Sequence, residues 1–387
     1  MRGAPYTMAG HSANGDCRGG KWRHVGRMRV ALVRRAWAAT GGAERYLTRF
    51  AAGLAQHGHE PMLVSGPEWP AERWPHGKIF RLPAKTPRAF ADELVKNRSA
   101  LGCDRLFSLE RVHKCDIYRA GDGVHAAWLD RRAVREPKWK SAFRLWQPKH
   151  REILALEKEL FRGGADRIVV NSKMVAREIR EHFGTPESKI HLVYNGYDLP
   201  AHESTEEPGH GRAATRQRLG IREDQTLILF TGSGWERKGL ADAVAALEML
   251  DNKSTVLVVA GAGKMRPNLK HARARYPGPI LDMAPMYAAA DVFVLPTLYD
   301  PFSNASLEAA RHGLPVITTT ANGFGELIES EVHGSVVPPG DVNRLAPALE
   351  YWSGGCVARE ARARCAANVA NRTVAANVAE TLAVVER

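Results

Sequence analysis

The stretch Pro296-Thr-Leu-Tyr-Asp300-Pro-Phe-Ser-Asn-Ala-Ser-Leu-Glu308-Ala-Ala-Arg-His-Gly313-Leu-Pro315-Val decides the fold. The apolar run before it, Asp291–Leu295, reads as a strand that ends at Pro296. Asp300 stands in a loop, and a helix opens near Asn304 or Ala305 with Glu308 one turn inside it. The free amides of such a helix start suit a diphosphate. A carboxylate ahead of the helix can hydrogen-bond sugar hydroxyls, and one inside its first turns can hold a ribose. Taken alone, the same pattern also describes an ordinary acidic helix start favoured by the helix dipole.

The strand–loop–helix unit repeats on both sides. Thr226–Phe230, Thr255–Ala260, Asp291–Leu295 and Val316–Thr319 read as strands, each expected to be followed by a helix. Nearer the start, Arg29–Val33 is a buried strand, Gly41-Gly42 a turn, and Tyr46, Leu47, Phe50 and Leu54 one helical face. Glu60–Val64, Ile117–Ala120, Asp166–Val170 and Ile190–Tyr194 are further strands, and 148–162 a helix with Ile153, Leu156 and Leu160 on one side. This is the pattern of an α/β protein with parallel sheets. Residues 200–212, rich in Pro, Gly, His and Glu, read as a linker. The expected organisation is an N-terminal Rossmann-like domain over 28–199 and a C-terminal one over 213–369. Two such domains facing each other enclose a central cleft at the carboxyl ends of their strands. Residues 1–27 are Gly-rich, basic and aperiodic and are expected to be a disordered extension, with Met28 an alternative start. Within them Gly15-Asp-Cys-Arg-Gly-Gly20-Lys21 nearly spells a phosphate-binding loop, but Trp22 stands where Ser or Thr would ligate magnesium, and no strand precedes it.

Composition narrows the function. The chain has 387 residues, 44% hydrophobic and 25% charged, which excludes a disordered or collagenous protein. Lys plus Arg number 55 against 42 Asp plus Glu, a formal charge of +13 that favours an anionic partner. Cys17, Cys103, Cys115, Cys356 and Cys365 are odd in number with no C-x-x-C spacing, which argues against a zinc site or a disulfide framework and for a reducing compartment. No apolar run approaches a membrane span and no signal peptide is evident, so a cytoplasmic protein is expected.

Three further constellations carry chemistry. Gly232-Ser-Gly-Trp-Glu-Arg237-Lys238-Gly239 follows the strand that opens the second domain, and its adjacent cations suit a departing diphosphate. Tyr118-Arg-Ala-Gly-Asp122-Gly-Val-His125 offers Asp122 or His125 to orient or deprotonate an acceptor hydroxyl. No Asp-x-Asp triplet occurs, so Arg237, Lys238 and helix amides are expected to replace a metal. Between 131 and 162, Arg131, Arg132, Arg135, Lys138, Lys140, Arg144, Lys149, Arg151, Lys158 and Arg162 are interleaved with Trp139, Phe143 and Trp146, and Trp128 lies just ahead. That mixture suits an anionic lipid interface; a solvated face with some core aromatics would read the same.

The stretch 296–316 resembles the acidic-x7-acidic signature of the retaining glycosyltransferases of family 4. Asp300 and Glu308 stand at its acidic positions, with Asp where the family usually has the longer Glu. The likeness continues through Gly313-Leu-Pro315-Val-Ile317, Asn322-Gly-Phe-Gly-Glu326-Leu-Ile328 and Gly334-Ser-Val-Val337, and spans most of 28–350. Asn171-Ser172 and Asn195-Gly196 match the family's positions at the end of the first domain and at the hinge, Asn195-Gly196 reading first as a turn. The Arg237-Lys238 pair, the Asp122 stretch and the basic segment look like those of lipopolysaccharide-core heptose glucosyltransferases. The family usually has an Arg five residues before the Lys, where Ser233 stands here.

The resemblance implies a GT-B fold, with a C-terminal helix over about 370–387 packing back on the first domain. It implies a hexose, glucose from UDP-glucose, moved with retention and without metal or cofactor onto a glycolipid or oligosaccharide acceptor at the anionic inner-membrane surface. Front-face attack assisted by the leaving diphosphate is the expected mechanism. Implied for the donor are Gly42, Ser233, Arg237, Lys238, Asp300, Phe302, Ser303, Asn304, Ala305 and Glu308. Implied for the acceptor are Gly41, Glu44, Asp122 and His125; Asp122, Arg237, Lys238 and Asp300 are the catalytic set. No nucleic acid is implied. The rivals are a transferase of another sugar or acceptor, a nucleotide-sugar epimerase of the same fold, and a basic nucleic-acid- or membrane-binding protein. The sequence leaves the base, acceptor, linkage and oligomeric state open.

Overall fold

The computed structural model describes residues 26–38, 42–137, 139–140, 146–200 and 210–387. Gly41, Lys138, Phe143, Arg144, the near-Walker stretch and most of the linker lie outside them. Two parallel sheets organise the chain. The first holds seven strands: β1 (Arg29–Val33), β2 (Glu60–Ser65), β3 (Ile79–Arg81), β4 (Arg105–Ser108), β5 (Cys115–Arg119), β6 (Ala165–Val170) and β7 (Ile190–Leu192). Their spatial order is β3-β2-β1-β4-β5-β6-β7. The second holds β8 (Thr226–Thr231), β9 (Thr255–Ala260), β10 (Ala274–Gly278), β11 (Val292–Leu295), β12 (Val316–Thr319) and β13 (Gly334–Val337), in the order β10-β9-β8-β11-β12-β13. Central strands are mostly apolar, β9 being buried at all six positions, because helices cover both faces.

Each sheet reverses its winding once, between β1 and β4 and between β8 and β11. A crevice opens beyond the carboxyl ends of the strands at such a switch point. The loops that leave β8 and β11 there are those of Ser233 to Lys238 and of Asp300.

Two of the four expected strand–helix successions differ. After β9 the chain runs through Gly261, Gly263 and Pro267 into one short 3-10 turn, Pro267–Leu269, and then β10; glycine and proline deny it a helix. After β12, Asn322 caps a 3-10 turn at Gly323–Leu327 and β13 follows. The 148–162 helix is α-helical over Pro148–Glu159 and widens to a π turn over Leu160–Gly164.

One apolar cluster fills the second domain, and two flank the first sheet. Residues of the Val374–Val385 helix belong to the first domain: Val378, Leu382, Val384 and Val385 pack with Leu47, Phe50, Leu54 and Phe107. The chain thus crosses between the domains twice. Its two crossings touch, with Tyr197 N–H donating to the Arg372 carbonyl (2.9 Å) and Asn377 Nδ2 to the Tyr194 carbonyl (2.7 Å). Among the described residues no helix is long and apolar enough to cross a membrane.

Candidate active site

A cavity of about 350 Å³ lies between the domains, at the carboxyl ends of both sheets. Its second-domain wall follows from the 296–308 stretch. Ser303 ends the loop and caps the Asn304–Arg311 helix, its hydroxyl accepting from Ser306 N–H (3.2 Å). Asn322, 2% exposed, accepts from Ser303 N–H (3.2 Å) and Phe324 N–H (3.1 Å), so the Asn322-Gly-Phe-Gly motif fixes the entry to this helix. Phe302 packs edge-on against Phe324 beneath it. Asp300 is held between neighbours, its N–H donating to the Ala321 carbonyl (2.9 Å) and its carbonyl accepting from Gly323 N–H (3.0 Å).

Arg237 and Lys238 reach the same wall from the loop after β8. Lys238 Nζ pairs with the Asp300 carboxylate. Arg237 Nη1 donates to the Tyr299 carbonyl (2.7 Å). The loop can come this close because Gly239 (φ +76°) has no Cβ; one there would fall 1.9 Å from the Pro296 carbonyl oxygen. Glu308 sits one turn into the helix, accepting from the Tyr287 hydroxyl (2.9 Å), and burial raises its carboxyl above the ordinary range. Ser233, Asn304 and Ala305 complete this wall.

The first-domain wall is built from distant segments. Gly42 is the first residue of the Gly42–Gln56 helix, and a Cβ on it would lie 3.5 Å from Asn304 Nδ2, so the starts of two helices face each other across the cavity. Asp122 enters from the turn after β5. The sequence reading missed Arg45, Arg49 and Arg119 and took Asn195 first as a turn; all four line the cavity. Arg45 and Arg49, one helical turn apart and exposed, face Glu308. Arg119 stacks over Tyr46 (3.6 Å) and donates to Asn195 Oδ1 (2.7 Å), whose Nδ2 donates to Asn304 Oδ1 (2.7 Å). Asn195 therefore does more than turn the chain: it ties the first domain to the start of the helix that carries Glu308. Arg45, Arg49, Arg119, Arg237 and Lys238 against Asp122, Asp300 and Glu308 leave the cavity cationic.

Two expected acceptor residues are elsewhere. Glu44, 2% exposed, is clamped by Arg34 (3.0 Å) within the first domain and is not part of the cavity wall. One helical residue is about a 100° rotation, so Glu44 and Arg45 point to different sides. His125 opens the His125–Arg135 helix, whose first N–H groups are bound by the fully buried Glu157: His125 N–H at 2.6 Å and Ala126 N–H at 3.2 Å. Its ring turns to the Pro148–Glu159 helix and hydrogen-bonds His150 (2.8 Å). Asp122 is the one of the pair that reaches the cavity.

The position of His125 has a consequence for stability. Burial, with Arg111, His150 and Lys149 nearby, lowers its pKa from 6.5 to about 4. Between those values the unfolded chain binds a proton the folded chain does not, so stability falls as pH drops through the window. The melting temperature should decline from pH 6.5 towards 4, and His125→Gln should flatten the slope by one proton. An unchanged slope would count against the assignment.

The basic segment also differs from expectation. Arg131, Arg132 and Arg135 are spent within the protein, on Glu178 (2.5 Å), on Glu136 (2.7 Å) and Glu236 (3.3 Å), and on Asp242 (3.0 Å). Glu236 and Asp242 belong to the second domain. Trp139 (69% exposed) and Trp146 (79%) do face solvent, with Lys140, Lys149 and Arg151.

Two facing parallel-sheet domains around such a cavity define the GT-B class of fold. Residues 40–200 match the model of glycosyltransferase family 4, and 225–353 that of glycosyl transferases group 1. A probable transglycosylase of Burkholderia thailandensis is 30% identical over 331 residues, covering 84% of this chain and 86% of that one. A lipopolysaccharide glucosyltransferase of Escherichia coli is 25% identical over 336 residues, 80% of this chain and 85% of that one. The fold is also that of the crystal structure of WaaG, a glycosyltransferase involved in lipopolysaccharide biosynthesis (TM-score 0.75, 22% identity, 92% of this chain and 99% of that one). Anabaena HepE solved with UDP-glucose is a further structural neighbour (TM-score 0.67, 17% identity, 92% and 100%). The chain belongs to the family 4 glycosyltransferases.

Proposed function

We propose that this glycosyltransferase moves glucose from UDP-glucose, with retention and without a metal, onto a lipid-anchored glycan such as heptose of the lipopolysaccharide inner core. The observation that carries the reading is the convergence of Arg237, Lys238 and the start of the Asn304 helix on one wall, opposite Asp122. UDP-glucose in a structural neighbour and lipopolysaccharide glucosyltransfer in a relative support the donor and the acceptor.

In this reading Glu308 binds the ribose, and Asp300 binds sugar hydroxyls. The helix amides, Arg237 and Lys238 hold the diphosphate and stabilise the charge it gains as the glycosidic bond breaks. These fixed cations do the work a divalent ion does in other sugar transfers. Asp122 orients the acceptor hydroxyl. Attack comes from the face the diphosphate is leaving, whose oxygens take the hydroxyl proton, so configuration is retained. Incubation with UDP-, ADP- and GDP-glucose and UDP-galactose, with rough lipopolysaccharide as acceptor, tests it. UDP release from UDP-glucose that rises with acceptor is expected; release only from another nucleotide sugar would replace the donor.

The enzyme must then work at the cytoplasmic face of the inner membrane, as a peripheral protein. Among the described residues, exposed Trp139 and Trp146 with Lys140, Lys149 and Arg151 are placed to meet an anionic surface, each cation adding about 1 kcal/mol. Co-sedimentation with vesicles containing anionic lipid, but not with purely zwitterionic ones, is expected, and high salt should release it. Charge removal at Lys140, Lys149 and Arg151 together with W139A and W146A should abolish binding and spare UDP affinity. Unchanged binding would assign the segment to an ordinary solvated face.

A further inference from the structure

Tyr299 precedes Asp300 on the loop after β11 of the second domain, yet its ring is 3% exposed inside the apolar core of the first. Its hydroxyl donates to Glu178 Oε2 (2.9 Å) and accepts from Val124 N–H (2.7 Å). Glu178, itself 3% exposed on the Lys173–Phe183 helix, is engaged by Arg131, whose guanidinium lies 4.8 Å over the Tyr299 ring while Trp128 stacks beside it. The receiving turn is shaped for this guest. Gly123 has φ +71°, and a Cβ there would fall 2.3 Å from the Tyr299 hydroxyl.

Gly123 and Val124 directly follow Asp122, as Tyr299 directly precedes Asp300. One hydroxyl thus joins the turn that presents Asp122 to the loop that presents Asp300. A phenylalanine would bury nearly the same apolar surface. What the oxygen adds is directional: two hydrogen bonds that fix the register of one domain against the other. Breaking them in place leaves the Glu178 carboxylate short of a donor in a buried site, which makes any other register costly.

We propose that Tyr299 is a positioning residue for sugar transfer, a latch that sets the Asp122 side of the cavity against the Asp300 side; the role in transfer rests on the reading that these two carboxylates serve acceptor and donor. Donor binding itself needs the latch little, because the Asp300 loop is also held by Ala321, Gly323 and Arg237.

The test is Tyr299→Phe in the full chain. Expected is a kcat for UDP-glucose turnover lowered about tenfold or more, with the Kd for UDP by calorimetry within about twofold of the parent. Adding Glu178→Gln to Tyr299→Phe should cost little further, since the latch is already open. A kcat at the parent level, a parallel loss of kcat and UDP affinity, or fully additive losses would each overturn the proposal. Small-angle scattering supplies a readout without chemistry: a larger radius of gyration for Tyr299→Phe supports the latch, and an unchanged one opposes it. Should the parent turn over no UDP-glucose, the functional reading fails while scattering still decides the latch. If Tyr299→Phe does not fold, Arg131→Lys carries the same comparison.

Discussion

Lys238→Ala should lower kcat by about 100-fold or more, on the scale of removing one preorganised electrostatic donor from an active site. The Lys238 side chain is 13% exposed and paired with Asp300, whose side chain is 9% exposed, so little water is present to screen the pair. Charge on the leaving diphosphate grows as the glycosidic bond breaks, and a fixed cation attracts the product-like state more than the ground state. The variant also strands Asp300 without its partner, and some thermal stability should go with it. The two effects separate in kinetics. Initial rates at saturating donor isolate kcat, and a change confined to KM would contradict a role in the transition state.

Glu308→Ala should raise the Kd for UDP by about 10- to 100-fold, the span expected when a hydrogen bond to a charged group is lost. The fold should survive. Glu308 is only half-buried, and the variant gives up its hydrogen bond from Tyr287. Because burial lifts its carboxyl above the usual range, UDP affinity should begin to fall at a higher pH than an ordinary glutamate would set. Calorimetry with UDP alone measures both. A variant that binds UDP normally would remove Glu308 from the donor site.

Much of this was legible in the chain. The apolar strands β1, β2, β8, β9, β11 and β12 announce themselves because a parallel sheet buried on both faces requires unbroken apolar runs. The strands that escaped are short or interrupted: Ile79–Arg81 has three residues, Arg105–Ser108 four, Gly334–Val337 four beginning with a glycine, and Ala274–Gly278 contains Pro277. The second-domain wall was readable because two short contiguous stretches build it, residues 232–238 and 300–308. Arg45, Arg119 and Asn195 of the opposite wall meet only through folding. Their side chains carry no spacing that marks them, and reading Glu44 in place of Arg45 required only a helix rotated by one residue. His125 was misplaced for a related reason: the carboxylate that sets its helix, Glu157, lies 32 residues away. The arginines of the basic segment show the limit of charge counting. Composition registers that Arg131, Arg132 and Arg135 are present, but apart from Glu136 at the end of the same helix the carboxylates that consume them stand on other elements, two of them on the other domain.

The Val374–Val385 helix that closes the first domain also orders the birth of the molecule. A ribosome delivers β1 to β7 long before it reaches Val378, Leu382, Val384 and Val385, which cover Leu47, Phe50 and Phe107. At roughly 5–20 residues per second, the nearly two hundred residues in between take on the order of 10–40 seconds. Throughout that interval the nascent first domain carries an uncovered apolar face, while the second domain, whose core is contiguous in the chain, can finish. The half made first is completed last, and a holding chaperone has its natural client in that half.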